Sequence, residues 1–454
     1  MSKELFLRAL RNRSDVLNFI GKVKEALNDI VTGLRVARVL DNRQQEADCY
    51  IQMSQIYESL SQYRRMLRSA RKALALYESI NHGKGMSKSL INVGRIHDTL
   101  GEYPKALEYY RKSLDIGRRI SDRFQIADSL NSIGLMCDRL GEYQAAFKFF
   151  RQALVLRKKI ADQTGMAEGY NNIASIHYRL GDHQRALDFF KRSAEIRKKI
   201  GNRAGLAYSL NNIGFILNQI GDGPQALVHF NRSLTIQQET GNREDEAISL
   251  NNIGLVHLNM GNYSQALGHY RQAMKIQKKI GNRRGEAYGY YNIGRVHFEM
   301  NQFGPARQNL RKAEIFARGK GEKELLRRTA MALGELALAR RFNNVAARYA
   351  DLARGLSMKM NFKKGEMETV LLRARIASGS VRWTKTRRSF EAVIAYFEKS
   401  SQLLDVAKAF YYYADALAEK LQPDRARINY QKARAIFKKV GAQSWLRILD
   451  SRGR

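Results

Sequence analysis

A run of thirteen residues with a pair of asparagines at its centre recurs along the chain at a fixed interval of 40 residues. It reads SLNNIGLVHLNMG at 249–261, SLNNIGFILNQIG at 209–221 and GYNNIASIHYRLG at 169–181, with SLNSIGLMCDRLG at 129–141. A constant period of this length is the sequence signature of a repeat architecture, so it outweighs other indications of fold. The period runs in register from Leu7 to Leu446 through eleven repeats, which begin at Leu7, Ala47, Ser87, Ala127, Ala167, Ala207, Ala247, Ala287, Arg327, Met367 and Ala407.

Apolar residues within each repeat recur at steps of three and four, which predicts two α-helices and no strand. Gly261 follows the first predicted helix of its repeat and Gly281 follows the second. A glycine there can adopt the left-handed conformation that ends a helix. Asn282 is then a suitable N-cap for the next helix, as are Asn202, Asn242, Asp122 and Asp162 in other repeats. Each repeat is therefore predicted to be a pair of antiparallel helices in an all-α protein.

The repeat resembles the tetratricopeptide repeat, through Gly254, Gly261, Tyr263, Ala266 and Tyr270 in order. The usual repeat has about 34 residues. The longer form resembles the Leu-Gly-Asn repeats of Pins-type spindle adaptors, kinesin light chains and bacterial sensory regulators. The resemblance implies a right-handed α-solenoid superhelix of eleven helix-turn-helix repeats. We expect one continuous array over residues 1–446 and a C-terminal cap or tail over 447–454, with the repeats from 327 onward more degenerate. Residues 379–388 are expected to form an irregular loop.

The resemblance also implies a ligand groove, because the first helices of such repeats line an inner, concave wall. The asparagines then form a stripe along that wall, one step per repeat. An amide both donates and accepts hydrogen bonds, so such a stripe can hold the backbone of an extended peptide. The alternative is that neighbouring asparagines bond one another and join repeat to repeat. The candidate peptide-binding asparagines are Asn92, Asn131, Asn171, Asn172, Asn211, Asn212, Asn251, Asn252 and Asn292.

Basic residues accompany the asparagines and suggest an acidic ligand. The chain has 79 Lys and Arg against 43 Asp and Glu, a formal net charge of +36. Arginine can grip a carboxylate through two hydrogen bonds. The groove candidates are Lys88, Arg95, Arg139, Arg179 and Arg295. Other clusters, such as 157–159 and 197–199, end the second helices, where cations complement the helix dipole, and are interpreted as solvated charge.

No catalytic or metal-binding motif is recognisable. There is no P-loop, GxSxG elbow, HExxH or kinase signature, so we expect no enzyme activity and no cofactor. His97, His177, His257 and His297 share one repeat position and are interpreted as packing residues rather than metal ligands. Two cysteines, without a disulfide framework or a secretory signal, suggest the cytoplasm, and no stretch is long and apolar enough for a membrane span.

Two functions remain open. The first is a protein-interaction scaffold or adaptor that binds an extended, acidic segment of another protein, including as the sensory arm of a signalling system. The second is an RNA-binding helical-repeat protein, suggested by the basic charge and by Tyr208, Tyr288 and Tyr291 at expected groove positions.

Overall fold

The computed structural model describes residues 2–19, 22–60, 62–379, 383–400 and 402–451. These residues form 23 α-helices and contain no strand. The chain divides into two compact units, residues 1–179 and residues 180–454. Within each unit, consecutive helices pack as antiparallel hairpins and the hairpins stack in chain order. The predicted α-solenoid of helix-turn-helix repeats is confirmed.

The first unit contains nine helices in its described residues: α1 (Lys3–Phe19), α2 (Val23–Val39), α3 (Arg43–Ser59), α4 (Tyr63–Ser79), α5 (Gly83–Thr99), α6 (Tyr103–Arg119), α7 (Arg123–Arg139), α8 (Tyr143–Lys159) and α9 (Gln163–Arg179). The described part of the second unit contains α10 (His183–Lys199), α11 (Arg203–Gln219), α12 (Gly223–Glu239), α13 (Arg243–Asn259), α14 (Tyr263–Lys279), α15 (Arg283–Glu299), α16 (Phe303–Lys320), α17 (Lys323–Ala339), α18 (Asn343–Lys359), α19 (Lys363–Ile376), α20 (Trp383–Lys399), α21 (Leu403–Glu419), α22 (Pro423–Lys439) and α23 (Gln443–Ser451).

One turn geometry recurs between helices in the described part of the chain. After α13, Gly261 is left-handed with φ of 77°. Its N–H donates to the carbonyl of Leu258, and the N–H of Asn262 donates to the carbonyl of His257 at 2.8 Å. This pair of bonds satisfies carbonyls at the helix end that have no partner inside the helix. The predicted N-caps are also confirmed, since the side chain of Asn282 accepts a hydrogen bond from the backbone of Gly285 at 2.8 Å.

A close approach between the two helices of a hairpin explains the small residue at position eight of the repeat. A Cβ built on Gly254 would lie 2.9 Å from the ring of Tyr270, and one on Gly134 would lie 2.7 Å from the ring of Phe150. These distances are well below van der Waals contact, so the aromatic ring of the second helix packs directly on the backbone of the first. Gly94, Gly214 and Gly294 meet Tyr110, Phe230 and Leu310 in the same way.

The odd-numbered helices lie on the inner side of the curve within each unit. Successive odd-numbered helices contact each other directly, as α5 does with α7 and α11 with α13. Among the described residues, successive even-numbered helices show no comparably close approach. We call the side formed by the odd-numbered helices the inner face.

The expected irregular loop at 379–388 is wrong over most of its length. Helix α20 begins at Trp383, because the 20-residue spacing between helix starts continues there. Phe390, Val393 and Phe397 lie at helical steps and are fully buried. What changes is the preceding helix, since α19 ends early, at Ile376. Residues 380–382 of that expectation lie outside the described residues.

The C-terminal end of the second unit contacts the middle of that unit. Ser444 Oγ donates to the backbone carbonyl of Asn259 at 3.1 Å. A Cβ on Gly221 would lie 2.3 Å from the backbone of Val440, so two turns meet backbone to backbone. In α23, Leu446 and Leu449 are buried. Residues 452–454 of the expected tail lie outside the described residues.

The basic clusters at the ends of the second helices are only partly solvated, which corrects the sequence interpretation. Arg157 and Arg197 are buried. Arg157 forms ion pairs with Asp128 and Asp162. Arg197 donates to the carbonyl of Gly205 at 2.8 Å. In each cluster the first basic residue is therefore buried and bonded to neighbouring helices or turns, while the two that follow are exposed.

The repeated histidine position is a packing position. His97 and His177 are buried, which confirms the prediction for those two, and His257 and His297 are half-buried. The ring of His257 stacks on that of His269 with 5.4 Å between centroids. Burial lowers the pKa of both, and for His257 the charge of His269 lowers it further. No group of three or more metal-ligating side chains occurs among the described residues.

Replacing Gly254 with leucine is expected to lower the free energy of unfolding by about 2 kcal/mol or more, because the side chain would displace the Tyr270 ring. The matched control is Gly268→Leu on α14, where a Cβ meets nothing within 4 Å. Thermal melts followed by circular dichroism would compare the two. Equal melting temperatures for Gly254→Leu and the wild type would contradict the packing.

Mild acid is expected to destabilise the second unit through the stacked histidines. Their folded pKa values lie below the unfolded value of about 6.5, so the unfolded state takes up protons first as pH falls. The stability these residues contribute is therefore present above that pH and lost as pH falls toward the folded values. The double variant His257→Leu with His269→Phe should reduce the fall in melting temperature between neutral and mildly acidic pH. Other repeats have these side chains at the equivalent positions, Leu217 in repeat 6 and Phe189 in repeat 5. An unchanged fall would exclude the pair as its source.

Candidate functional site

The candidate asparagines lie on the inner face, on α5, α7, α9, α11, α13 and α15. Asn171 and Asn211 are buried, and the other seven are half-buried. These seven amides are thus neither fully enclosed in the core nor freely solvated. Such a position lets one edge of an amide bond within the protein while another edge faces outward.

Hydrogen bonds connect asparagines of successive repeats at a spacing of 41 residues. Asn172 Nδ2 donates to Asn131 Oδ1 at 2.9 Å in the first unit. In the second unit, Asn252 Nδ2 donates to Asn211 Oδ1 at 2.9 Å. Asn292 Nδ2 donates to Asn251 Oδ1 at 3.3 Å. We call these bonds the asparagine ladder. Each bond uses one donor and one acceptor, whereas an amide has two donor hydrogens and two acceptor lone pairs, so binding capacity remains.

A second ladder runs parallel to the first and was missed in the sequence. In the first unit it consists of ion pairs, with Arg139 Nε 3.0 Å from Asp98 Oδ1 and Arg179 Nε 2.7 Å from Asp138 Oδ1. The second unit has an amide pair at the equivalent positions, in which Asn259 Nδ2 donates to Asn218 Oδ1 at 3.4 Å. The spacing is again 41 residues, so complementary residues 41 apart were the available signal.

The arginine side chains of these ion pairs are more exposed to solvent than the carboxylates that they contact. Side-chain exposure is 52% for Arg139 against 13% for Asp98, and 47% for Arg179 against 15% for Asp138. Burial raises the pKa of the Asp98 carboxyl, against the lowering by Arg139. The carboxylates therefore fix the arginines from beneath, and a ligand on the inner face would meet guanidinium groups first.

The remaining predicted cations differ in the carboxylates that lie near them. Arg95 lies 3.1 Å from Glu58 and also reaches Asn92 Oδ1 at 3.4 Å. Lys88 is exposed and has no carboxylate within 4.0 Å among the described residues. Arg295 lies 3.6 Å from Glu299. The structure therefore does not gather the predicted cations into one cluster.

Helices α11 and α13 carry no charged residue at their inner-face positions. Tyr208 and Ile248 are exposed, while Phe215 and Leu255 are half-buried between the amides. We call these inner-face residues of α11 and α13 the uncharged strip, and within it amide groups alternate with apolar groups. Its residues are Tyr208, Asn211, Asn212, Phe215, Asn218 and Gln219 on α11, and Ile248, Asn251, Asn252, Leu255 and Asn259 on α13.

Aromatic and charged residues replace amides in the later repeats of the second unit. The guanidinium carbon of Arg375 lies 3.6 Å from the centroid of the Tyr412 ring. Arg375 Nη1 also lies 3.8 Å from Glu335 Oε1. Arg295 Nη1 donates to the hydroxyl of Tyr291 at 3.4 Å. Sequence reasoning missed Glu335, Arg375 and Tyr412, because the asparagine pattern ends before these repeats.

The two cysteines offer no reactive thiol. Cys49 and Cys137 are buried and unpaired. Burial raises the pKa of Cys49 to about 11 and also raises that of Cys137. A thiolate is the reactive form of cysteine, so both positions are structural. Among the described residues, no helix has the length and apolar character to cross a membrane.

Solved structures with similar folds share little sequence with the chain. BtubC (BKLC) from P. vanneervenii is 22% identical, with 49% of this chain and 90% of that chain covered and a TM-score of 0.42. The apo form of RapI is 17% identical, with 61% and 99% covered and a TM-score of 0.49. Yeast Tom70 is 14% identical, with 100% and 97% covered and a TM-score of 0.44. No curated protein sequence matches the chain.

The tetratricopeptide repeat family profile matches residues 85–159, 165–239, 205–279 and 245–318. Together these ranges cover just over half of the 454 residues. Repeats of this family generally mediate interactions between proteins. The chain belongs to the tetratricopeptide repeat family.

Proposed function

We propose that the chain is a non-enzymatic scaffold that binds an extended segment of another protein along its inner face. The observation that carries this proposal is the asparagine ladder. Its amides are oriented by bonds between repeats, and all of them except the buried Asn211 remain half-exposed. Amides fixed in this way can pair with the N–H and C=O groups of a ligand backbone without requiring one side-chain sequence.

The side chains of the ligand are expected to differ between the two units. In the first unit, the outward-facing Arg139 and Arg179 favour carboxylates. In the second unit, the uncharged strip on α11 and α13 favours apolar side chains between backbone contacts. We therefore propose acidic segments for the first unit and apolar extended segments for the second.

An extended ligand also suits the geometry of the second unit. Its C-terminal residues contact the turns after α11 and α13, through Val440 against Gly221 and through Ser444 on Asn259. These residues occupy the edge of α11 and α13 at which the two turns lie. An unfolded segment can follow the inner face of helices whose edge is occupied in this way, so we propose an unfolded segment as the ligand.

Asn252→Ala with Asn292→Ala is expected to weaken binding of selected peptides by about thirtyfold, because two hydrogen bonds of about 1 kcal/mol each would be lost. The peptides would be selected by panning a phage-displayed random library against the wild-type chain, and titrated by fluorescence anisotropy. The control is Asn309→Ala, whose amide bonds only the Pro305 carbonyl of its own helix, α16. Unchanged affinity in a folded double variant would mean that the ladder only bonds repeats to one another, and it would contradict the proposal.

Arg139→Gln with Arg179→Gln is expected to weaken acidic peptides by about tenfold or more and to reduce the salt dependence of their binding. Apolar peptides from the same selection, which we expect to bind the second unit, should have the same affinity for the variant as for the wild type. The control is Lys148→Gln with Arg151→Gln, two exposed cations on α8. Equal losses in both variants would mean that net charge, rather than the inner face, attracts the ligand.

A further inference from the structure

A second basic surface lies at one edge of the first unit, away from the inner face. It comprises the last turns of α6 and α8 and the first turn of α7. We call it the basic edge. Its exposed cations are Arg118, Arg119, Arg123, Lys158 and Lys159.

The cations of the basic edge are not neutralised by neighbours. Among the described residues, none of the five has a carboxylate oxygen within 4.0 Å. The nearby carboxylates have other partners: Lys84 lies 4.0 Å from Asp122, and buried Arg157 pairs with Asp128 and Asp162. The opposite edge differs, because the turns leading into α6 and α8 carry Glu102 and Glu142. The five cations without a carboxylate partner thus lie together on one side of these hairpins.

Helix dipoles account for only part of this charge. Cations in the last turns of α6 and α8 complement the negative end of each helix. Arg123 is the first residue of α7, where the dipole is positive and a cation is disfavoured. The presence of Arg123 is therefore not explained by the stability of its own helix.

An aromatic ring lies among these cations with one face supported. Phe124 is 43% exposed at the start of α7. The guanidinium of Arg157 lies 4.7 Å from its ring centroid, and Arg157 is itself held by Asp128 and Asp162. The backbone N–H of Phe124 donates to Asp122 Oδ1 at 2.9 Å. The ring is thus fixed in place while a large part of it remains exposed, and the next repeat has Thr164 at this position.

We propose that the basic edge binds single-stranded nucleic acid. Unpaired cations attract phosphates, and an exposed, fixed ring offers a surface on which an unstacked base can lie. A single strand fits better than a duplex, because the bases of a duplex are already stacked. An acidic peptide would use the cations but has no equivalent need for the ring. This surface is separate from the inner face and does not depend on peptide binding there.

The experiment compares four charge removals at the edge with four elsewhere on the same helices. The edge variant is Arg118→Gln, Arg119→Gln, Lys158→Gln and Lys159→Gln. The control is Arg111→Gln, Lys112→Gln, Lys148→Gln and Arg151→Gln, also exposed and also divided between α6 and α8. Probes are labelled oligouridine of about twelve nucleotides and oligoglutamate of equal length, titrated by anisotropy in the full chain at about 50 and about 200 mM salt.

The edge variant is expected to lose at least about tenfold in oligouridine affinity at the lower salt. The slope of log affinity against log salt concentration should be smaller by about three. The control variant should lose clearly less affinity. Phe124→Leu, which keeps an apolar side chain, should lose about fivefold or more for oligouridine and nothing for oligoglutamate. Three results would overturn the proposal: no oligouridine binding at the lower salt, equal losses in both charge variants, or a Phe124→Leu variant that binds oligouridine like the wild type. The last would identify the edge as a surface for acidic polymers in general.

Discussion

The architecture depends on the contact between an aromatic ring of the second helix and the bare backbone of the first. Where Gly254 meets Tyr270, or Gly134 meets Phe150, no side chain separates the two helices. This close approach recurs where Gly94, Gly134, Gly214 and Gly254 each meet an aromatic ring, and it gives these hairpins a common orientation within their units. The regularity of the asparagine ladder follows from it, because amides 41 residues apart come within 2.9–3.3 Å only if successive hairpins have the same geometry.

The paired asparagines of the sequence are explained by this arrangement. Asparagine, a helix-disfavouring residue, recurs where it bonds one repeat to another. In the pair 251–252, Asn252 donates to the preceding repeat and Asn251 accepts from the following one. The structure thus supports the alternative interpretation, bonds between repeats, without removing the ligand hypothesis. A bond such as that from Asn252 to Asn211 uses only part of each amide and fixes the direction of the rest.

The fold followed from the sequence, because helical spacing, glycine at helix ends and asparagine caps all repeat with one period. Partner choice did not follow. The pairing of Arg139 with Asp98 from the previous repeat was not predicted, because it depends on how hairpins stack and the sequence offers only the spacing of 41 residues between complementary side chains. Likewise Arg157 and Lys158 are adjacent basic residues, yet one is buried in ion pairs and the other exposed. The irregular loop expected before Arg388 was wrong because Gly379 and local polarity obscured the 20-residue spacing that begins α20 at Trp383.

The central claim, that the ladder amides contact a ligand, is tested most directly by NMR of the protein labelled with ¹⁵N at asparagine. Side-chain NH₂ signals would be recorded during titration with a selected peptide, and those of Asn252 and Asn292 assigned by substitution. We expect these two signals to shift on binding, while that of Asn309 on α16 does not. If the peptide binds and both ladder signals stay unchanged, the asparagines join repeats only and the ligand lies elsewhere.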